Sequence, residues 1–384
     1  FGLGHLSLAD CAALGPRTLF SVSQLSNLRT SFIPRYQYPP LIMPLAPITV
    51  ALDWTPNTNH SGFYVALSQG LYEAAGLAVS LRTPAEAGSA GLSPNAHKSE
   101  GLSASKQVAE GSATFGVCVQ ESVISYATTA KWQHVPLVAV AALCQGNMTT
   151  ISVLGSSGLT RPKDLEGRKY ASFGARWEDA VVRGLVTADG GDGDKLACPP
   201  LLRKNDDQPT TGSLVTGSVI STHLSKGLAD AAWIFPHWEG VFAARAGQPL
   251  THFHFEDYGV PHGYKPLLIA SKITAESAEA RAFLKATAEG YKIAANDPAA
   301  AANALCSSGH PSLSDEAFVL ASASSIRDSY LDPTGKWGRI DTKRWGAFVD
   351  FMDQAGMLVD RDGKEIGREN VKDEELFTNA ALPE

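Results

Sequence analysis

Apolar and polar positions alternate in blocks along this chain, and the blocks predict strands and helices in regular succession. From Ile48 onward, short apolar runs typical of buried strands are each followed by a longer stretch of helical periodicity, such as Ser61–Ala75. This strand–helix rhythm predicts a mostly parallel sheet with helices on its faces. The predicted strands of the first half are Ile48–Leu52, Leu77–Leu81, Ala113–Val117 and Leu137–Leu143.

The same rhythm begins again after Met148, which predicts a second sheet. We therefore expect an α/β fold of two lobes, joined by crossovers near residues 144–150 and 255–266. Lobe 1 is predicted to comprise residues 47–146 and 260–384, and lobe 2 residues 147–259. The strands predicted after Met148 are Ile151–Leu154, Lys169–Ser172, Ala229–Phe235 and Thr251–Phe255 in lobe 2, and Leu267–Ala270 in lobe 1.

Residues 1–46 differ from the rest and are left out of the fold prediction. They contain three arginines, several serines and a single acidic residue, Asp10. An organellar transit peptide, a flexible leader and a misjudged gene start all fit this bias. The five cysteines of the chain are dispersed and form no CxxC pair. Reduced thiols, and hence a cytoplasmic or organellar location, are the simpler expectation.

Composition narrows the class of partner. The chain has a net charge of -7 and no basic stripe, which argues against nucleic acid as a partner. No apolar run reaches the length of about 18 residues that a membrane-spanning helix needs. A soluble protein that binds a small molecule fits both observations; oligomeric state is left open.

Four clusters of polar and aromatic side chains each follow a predicted strand. Ligands in open α/β sheets bind outside the carboxyl ends of the strands, so these clusters are the candidate site. Indole rings beside carboxylates, amides and imidazole suit a flat, nitrogen-rich heterocycle. The candidates are Trp54, Asn57, Asn59 and His60; Glu121 and Ser122; Gly174, Trp177 and Glu178; Trp233, Trp238 and Glu239; and, on the second crossover, Tyr264.

Structural explanations compete with each cluster. The first could be a capped strand-to-helix turn with an incidental Trp54, and Glu121 could simply cap a helix. Core packing alone would account for Trp233. Elsewhere, His252 and His254 fit either a metal site or, more simply, a polar strand face, and no metal site is predicted. Residues Asp189–Asp194 fit a plain turn better than a calcium loop, and Cys118 fits a buried thiol.

Four segments occur in a characteristic order: DWTPNTNHSGFYVA at 53–66, FGVCVQES at 115–122, DLEGRKYASFG at 164–174 and ADAAWIF at 229–235. Together they resemble a known family, the thiamine-pyrimidine-precursor proteins of the type II periplasmic-binding-protein fold. The resemblance covers roughly residues 47–300. It implies a cleft between the lobes that is lined by Trp54, Asn59, His60, Glu121, Glu178, Trp233 and Trp238.

The resemblance implies two functional branches. Bacterial members bind formylaminopyrimidine precursors and pass them to a transporter, whereas fungal synthases consume a histidine of their own chain with pyridoxal phosphate and iron. The synthase lysine and histidine correspond to Cys118 and Ser122 here, and the expected cysteine-rich segment reads His-Gly-Tyr-Lys-Pro at 262–266. These departures argue against synthase activity.

The first hypothesis is therefore a non-catalytic protein that binds an aminopyrimidine precursor of thiamine without a cofactor, with a membrane transporter as a partner implied by the bacterial branch. The second is a pyrimidine phosphate synthase, which alone would require pyridoxal phosphate and iron. The third is a binder of sulfonate, nitrate or another small anion, although such a site should favour basic residues.

Overall fold

Two β-sheets organise the chain in a computed structural model, which describes residues 44–86, 103–173, 177–199, 219–360 and 362–384. The strands within these ranges are β1 (Ala46–Ala51), β2 (Leu77–Arg82), β3 (Phe115–Cys118), β4 (Leu137–Ala142), β5 (Thr150–Leu154), β6 (Tyr170–Ala171), β7 (Ala231–Ile234), β8 (Leu250–Phe253) and β9 (Leu267–Ser271).

Helices connect the strands and form the C-terminal part of the chain. Acceptor side chains begin several of them: Ser277 caps α8, Asp297 caps α9 and Asp341 caps α11. The α-helices are α1 (Ser61–Ser68), α2 (Leu71–Ala74), α3 (Ala104–Ala109), α4 (Gln120–Thr128), α5 (Glu178–Ala188), α6 (Val241–Arg245), α7 (Lys272–Ala275), α8 (Ala278–Asn296), α9 (Pro298–Cys306), α10 (Glu316–Ile326), α11 (Thr342–Gln354) and α12 (Asp373–Leu376).

The first sheet has the strand order β2-β1-β3-β9-β4, and the second has the order β6-β7-β5-β8. In the first, β1 runs parallel to β2 and β3, whereas β9 is antiparallel to β3 and β4. In the second, β6 is parallel to β7, whereas β5 is antiparallel to β7 and β8. Each sheet is therefore a mixed sheet with one reversed strand.

The reversed strands explain where the carboxyl ends of the others lie. The first crossover (residues 143–149) enters the second sheet at β5, and the second crossover (residues 254–266) re-enters the first sheet at β9. Each reversed strand thus starts at the edge where its neighbours end. The carboxyl ends of the remaining strands in both sheets consequently lie on the side where the crossovers attach, which is the side that binds ligands in α/β folds.

Strand alternation divides the apolar side chains among three clusters. In β1, Ile48 and Val50 pack with the C-terminal helices, whereas Ala51 belongs to a second cluster. That second cluster contains buried side chains of both sheets, including Ile269 and Ile151. A third, small cluster covers the other face of the second sheet. The predicted α/β architecture with two sheets and two crossovers is confirmed; the exact lobe boundaries stay a prediction.

Two details differ from the sequence-based expectation. The helix predicted over Ser61–Ala75 is divided into α1 and α2, because Gly70 adopts a left-handed conformation with φ of 66°. The strand expected over Lys169–Ser172 is shorter and consists of β6 alone. Most of the expected insertion at residues 84–105, and the segment before residue 44, lie outside the described residues.

Candidate functional site

The loop after β1, residues Asp53–His60, contains the first predicted cluster and is called the polar loop below. Its side chains bond to one another. The Asn57 side chain accepts from the Asn59 amide at 2.8 Å and donates to the Thr55 carbonyl at 3.0 Å. His60 Nδ1 accepts from the Asn57 amide at 3.3 Å, which leaves Nε2–H to donate to Asp53 at 3.0 Å. Asn57 and His60 are both buried.

Distant parts of the chain complete the hydrogen bonding of the polar loop. Asn59 Oδ1 lies 2.9 Å from His237 Nε2, and the Asn59 carbonyl accepts from the Tyr291 hydroxyl at 2.7 Å. Burial lowers the pKa of His237 to about 3, so its ring is neutral and Nε2–H is the donor. This bond joins the segment after β7 to the loop after β1. The polar loop is thus held by protein partners, with Trp54 half-buried within it.

Glu121, in the first turn of α4, faces the second crossover. Its side chain is 1% exposed, and its Oε1 lies 2.5 Å from Nζ of Lys265, whose side chain is 11% exposed. Within the described parts of the chain, Glu121 Oε2 is buried without a hydrogen-bond partner. A buried carboxylate oxygen needs a hydrogen-bond donor, so Glu121 Oε2 is suited to accept from an N–H group of a ligand. Ser122 follows Glu121 and is half-buried.

Aromatic side chains surround the Lys265 ammonium. It lies 4.7 Å from the centroid of the Trp233 ring and 5.8 Å from that of Phe348. Phe255 packs against Trp233 with a centroid distance of 5.0 Å. These residues come from β7, the second crossover and α11. With His262, they form what we call the junction cluster: Glu121, Trp233, Phe255, His262, Lys265 and Phe348.

His262 contributes a neutral imidazole to the junction cluster. Its ring stacks on Phe255 at 5.0 Å and 11°, and its Nε2 lies 3.2 Å from the Thr149 hydroxyl. Burial, helped by the positive charges of Lys265 and Arg344, lowers the pKa of His262 well below its ordinary value. His262 Nδ1 is buried and has no hydrogen-bond partner among the residues that the structure describes. A second orphaned polar atom therefore lies beside the Glu121–Lys265 pair.

The third predicted cluster belongs to the second sheet. Glu178 begins α5 and is buried; its Oε1 accepts from the Tyr170 hydroxyl and from the Phe173 amide, the latter at 3.0 Å. Trp177 packs in the same apolar cluster as Trp233, and its Nε1 is buried without a partner in the described ranges. Gly174 lies outside the described residues.

The fourth predicted cluster is divided. Trp233 belongs to the junction cluster, whereas Trp238 is 4% exposed and packs edge-on against Phe318 of α10, 4.6 Å between centroids. Trp238 thus lies in the apolar cluster of the first sheet and the C-terminal helices. Glu239 accepts from the Phe235 amide at 3.0 Å, and burial raises its pKa to about 7.

Tyr264, predicted as a wall of the site, is held by residues at the start of α11. Its hydroxyl accepts from the Asp341 amide at 2.8 Å, and the Arg344 guanidinium lies 4.1 Å from its ring centroid. Arg344 also donates to carbonyls of both crossovers: Gln145 and Gly146 in the first, and His262 and Gly263 in the second. One side chain of α11 therefore ties the two connections together.

The weaker candidates have structural partners. His252 bonds to the Ser152 hydroxyl at 2.8 Å, as expected of a polar strand face. Asp189 pairs with Arg161, and burial raises the pKa of the Cys118 thiol. Among the described residues, no group of three or more His, Cys, Asp or Glu side chains is arranged to hold a metal ion. In the same residues, no helix is long and apolar enough to cross a membrane.

Sequence reasoning missed Lys265 and His262. Both stand in the crossover segment His-Gly-Tyr-Lys-Pro, of which only Tyr264 is a sequence-predicted site residue. A lysine and a histidine on a predicted crossover, near the carboxyl ends of the strands, are a sequence signal that could have indicated these two site residues. Their contacts with Glu121 and Thr149 depend on the tertiary fold.

Comparison with known proteins identifies the family. Residues 57–301 match the model described as NMT1/THI5 like, so the chain belongs to this family, as the resemblance predicted. The formylaminopyrimidine-binding protein of Halalkalibacterium halodurans is 25% identical over 319 residues, covering 80% of this chain and 85% of that protein. A protein of Haemophilus influenzae named for thiamine biosynthesis is 25% identical over 312 residues, 81% of this chain and 88% of that protein.

A solved structure shows the same fold. The alkanesulfonate-binding protein SsuA of Xanthomonas axonopodis pv. citri, bound to MOPS, superposes with a TM-score of 0.55 at 14% identity. The match covers 83% of this chain and 96% of that protein. The chain therefore has the periplasmic-binding-protein fold.

Proposed function

We propose that this protein binds an aminopyrimidine precursor of thiamine, without catalysis, between the carboxyl ends of its two sheets. The observation that carries the proposal is Glu121, a buried carboxylate with one oxygen unpartnered among the described residues, beside the rings of the junction cluster. A carboxylate accepts from the ring amino group, and aromatic rings pack against the pyrimidine plane. The relative named for formylaminopyrimidine binding supports the same ligand class.

Trp177 and Glu178 of α5 complete the proposed site from the second sheet. Trp177 offers an N–H donor that no described residue uses, which suits a ring nitrogen or carbonyl of the ligand. Glu178 is anchored by Tyr170 and Phe173, so it fixes the start of α5. Trp54 stays a predicted wall residue, since it is half-buried.

The synthase alternative requires a lysine and a histidine where this chain has Cys118 and Ser122. The Cys118 thiol is buried, desolvation raises its pKa, and it offers no amine. The nearby Lys265 amine is engaged with Glu121. The residues present therefore do not fit pyridoxal phosphate held as in the synthases.

The anion alternative fits the charges less well. A sulfonate placed against the junction cluster would meet the Glu121 carboxylate, whose only ion-pair partner in the described ranges is Lys265. Bringing a second anion to a buried carboxylate costs free energy unless a further cation is supplied. The likeness to SsuA thus supports the fold and not the ligand.

Titration calorimetry of the full chain tests the proposal. Formylaminopyrimidine and its hydroxymethyl analogue should bind with one-to-one stoichiometry, whereas an alkanesulfonate at the same concentration should give no heat of binding. Saturable binding of the sulfonate alone would overturn the proposal. A further sample, incubated with pyridoxal phosphate and iron, is analysed by mass spectrometry; pyrimidine formation with loss of a histidine side chain would establish the synthase alternative instead.

A transporter as recipient of the ligand, and a cytoplasmic or organellar location, belong to the same proposal. A transporter that imports from outside the cell would require the protein to lie outside the cytoplasm. Imaging of the tagged full-length protein therefore decides between delivery of the ligand to such a transporter and binding of the ligand inside a compartment.

A further inference from the structure

His262 has a buried ring nitrogen that no described residue satisfies. The residue is 4% exposed, and its Nδ1 has no hydrogen-bond partner within the described ranges. Aromatic neighbours hold the ring in place: it stacks on Phe255, and Phe348 meets it edge-on with the centroids 6.3 Å apart. Rotation of the imidazole would break both contacts, so the ring is fixed within the junction cluster.

A chain of hydrogen bonds between the two crossovers begins at Glu256. Its Oε2 accepts from the side-chain amide of Asn147 at 2.8 Å. Because an ionised carboxylate only accepts, this bond determines which end of the Asn147 amide is the nitrogen and directs Oδ1 to Thr149. The Thr149 amide donates to that oxygen at 3.0 Å, and the Thr149 hydroxyl lies 3.4 Å from it. The Thr149 hydroxyl therefore has an acceptor for its hydrogen.

This chain assigns the hydrogen of the His262 ring. With its own hydrogen directed to Asn147, the Thr149 hydroxyl offers a lone pair to His262 Nε2, which lies 3.2 Å away. Nε2 therefore carries the ring hydrogen, and Nδ1 keeps an unshared electron pair. A second hydrogen on the ring is disfavoured, because burial and the positive charges of Lys265 and Arg344 lower the pKa of His262 well below its ordinary value. Nδ1 is thus a hydrogen-bond acceptor.

Two cations lie near His262, and both are bound to other acceptors. Lys265 pairs with Glu121, and Arg344 donates to backbone carbonyls of both crossovers. Glu121 Oε2 and His262 Nδ1 are therefore two buried acceptors of the junction cluster that need donors from the ligand. The amino group of an aminopyrimidine supplies one donor. The ring nitrogens of a neutral pyrimidine are acceptors, so the second donor belongs to a substituent of the ring.

We propose that His262 is a specificity-determining residue, whose Nδ1 accepts from an N–H or O–H group on a ring substituent while Glu121 accepts from the amino group. The inference rests on the proposed function and narrows the ligand class to aminopyrimidines with a donor-bearing substituent. Lys265 keeps its contact with Glu121 Oε1, and no charge is added to the buried cluster. An analogue with an oxygen acceptor in place of the donor leaves Nδ1 unpaired and brings two electron pairs together.

Calorimetry with two probes of nearly equal shape tests this: an aminopyrimidine with an acetamidomethyl substituent, and its acetoxymethyl ester, in which oxygen replaces the N–H. The wild-type full chain should bind the amide at least about tenfold more tightly, because the ester leaves a buried acceptor unpaired. His262→Phe keeps a ring but removes the acceptor, so its affinities for the two probes should lie within about twofold of each other. His254→Phe, at an exposed histidine, is the matched control and should keep the preference.

Two further measurements keep the test decisive if His262→Phe does not fold. Nitrogen-15 spectra of the wild-type chain with labelled histidine should show the ring hydrogen of His262 on Nε2, and the amide probe should shift the Nδ1 resonance. Thr149→Val removes the oxygen that accepts from Nε2, so the preference for the amide should be lost. Thr149→Ser restores the hydroxyl and should keep it.

The outcomes separate this inference from the proposed function. Equal wild-type affinity for amide and ester, a preference that survives in His262→Phe or Thr149→Val, or a hydrogen on Nδ1 in the ligand-free protein overturns the role of His262 while leaving pyrimidine binding intact. If neither probe nor the unsubstituted parent aminopyrimidine binds the wild-type protein, the proposed function itself fails.

Discussion

The polar loop and the junction cluster both combine aromatic rings, an imidazole and a carboxylate, yet they differ in how their polar atoms are hydrogen-bonded. In the polar loop, Asn57, Asn59 and His60 bond to one another, to Asp53 and to distant residues. In the junction cluster, Glu121 Oε2 and His262 Nδ1 are buried and lack partners within the described residues. A high density of polar residues is therefore as typical of an internally hydrogen-bonded structural loop as of a ligand-binding site.

This difference assigns different tasks to the two regions. A satisfied network stabilises the fold and specifies one arrangement of the chain. Orphaned buried atoms cost stability and are retained where a ligand can complete them. Mutations should therefore affect stability in the polar loop and affinity in the junction cluster.

Glu121→Gln gives the largest expected change in affinity. Loss of a charged acceptor should weaken aminopyrimidine binding by roughly tenfold to a hundredfold, equivalent to about 1.5–3 kcal/mol. Calorimetry measures the effect, with Glu279→Gln on the exposed side of α8 as the control. An unchanged dissociation constant would remove Glu121 from the site.

His60→Ala tests the other side of the comparison. It removes the bonds to Asp53 and to the Asn57 amide, and should lower the free energy of unfolding by about 2 kcal/mol. Affinity measured on the folded protein should stay within about twofold of wild type. Urea denaturation followed by calorimetry checks both, and exposed His254→Ala is the control. A large loss of affinity with unchanged stability would show that the polar loop binds the ligand directly.

Trp233 in β7 and Trp238 just after that strand provide a matched pair. Trp233→Leu should weaken binding about fivefold to tenfold through loss of ring contacts in the junction cluster. Trp238→Leu, in the apolar interior against Phe318, should lower the unfolding temperature without changing affinity. Equal effects of both substitutions on the dissociation constant would contradict the separation of the two rings.

Glu239 gives the smallest expected effect, a change of stability with pH. Burial raises its pKa from 4.5 to about 7, so the folded protein retains a proton that the unfolded chain has released over this interval. The protonated Glu239 side chain contributes its full stabilisation below the unfolded-state pKa of 4.5, and this contribution is lost as the pH rises through the folded-state pKa of about 7.

Relative to wild type, Glu239→Gln should therefore gain on the order of 1 kcal/mol of stability between about pH 5 and about pH 8. Denaturant titrations at the two pH values measure this difference. Exposed Glu276→Gln should show a constant difference from wild type. If Glu239→Gln also showed a constant difference, the carboxyl would not titrate in this range.

Much of the architecture could be predicted because it follows from local patterns. The strand at Ile48–Leu52 appears as Ala46–Ala51, and the crossovers fall where the rhythm of the chain changes. Alternation in β7 places Ala231 and Trp233 in one cluster and Ala232 and Ile234 in another. Trp238 follows in the short π-helical segment Pro236–Gly240, where alternation no longer applies.

The site was less accessible to sequence reasoning because its contacts join remote segments. The polar loop attracted attention by composition, but its partners His237 and Tyr291 lie 178 and 232 residues further on. Glu121 could be selected as a carboxylate near a helix start, whereas its pairing with Lys265 depends on the return of the second crossover to the first sheet.

Arg344 shows that the functional unit extends beyond the region matched by the family. The family match ends at residue 301, but the guanidinium on α11 donates to carbonyls of both crossovers, and Phe348 on the same helix belongs to the junction cluster. A fragment trimmed to the matched region would lack Arg344 and Phe348, and so would lose the hydrogen bonds that connect the two crossovers. The segment after residue 301 is thus an integral part of the binding unit.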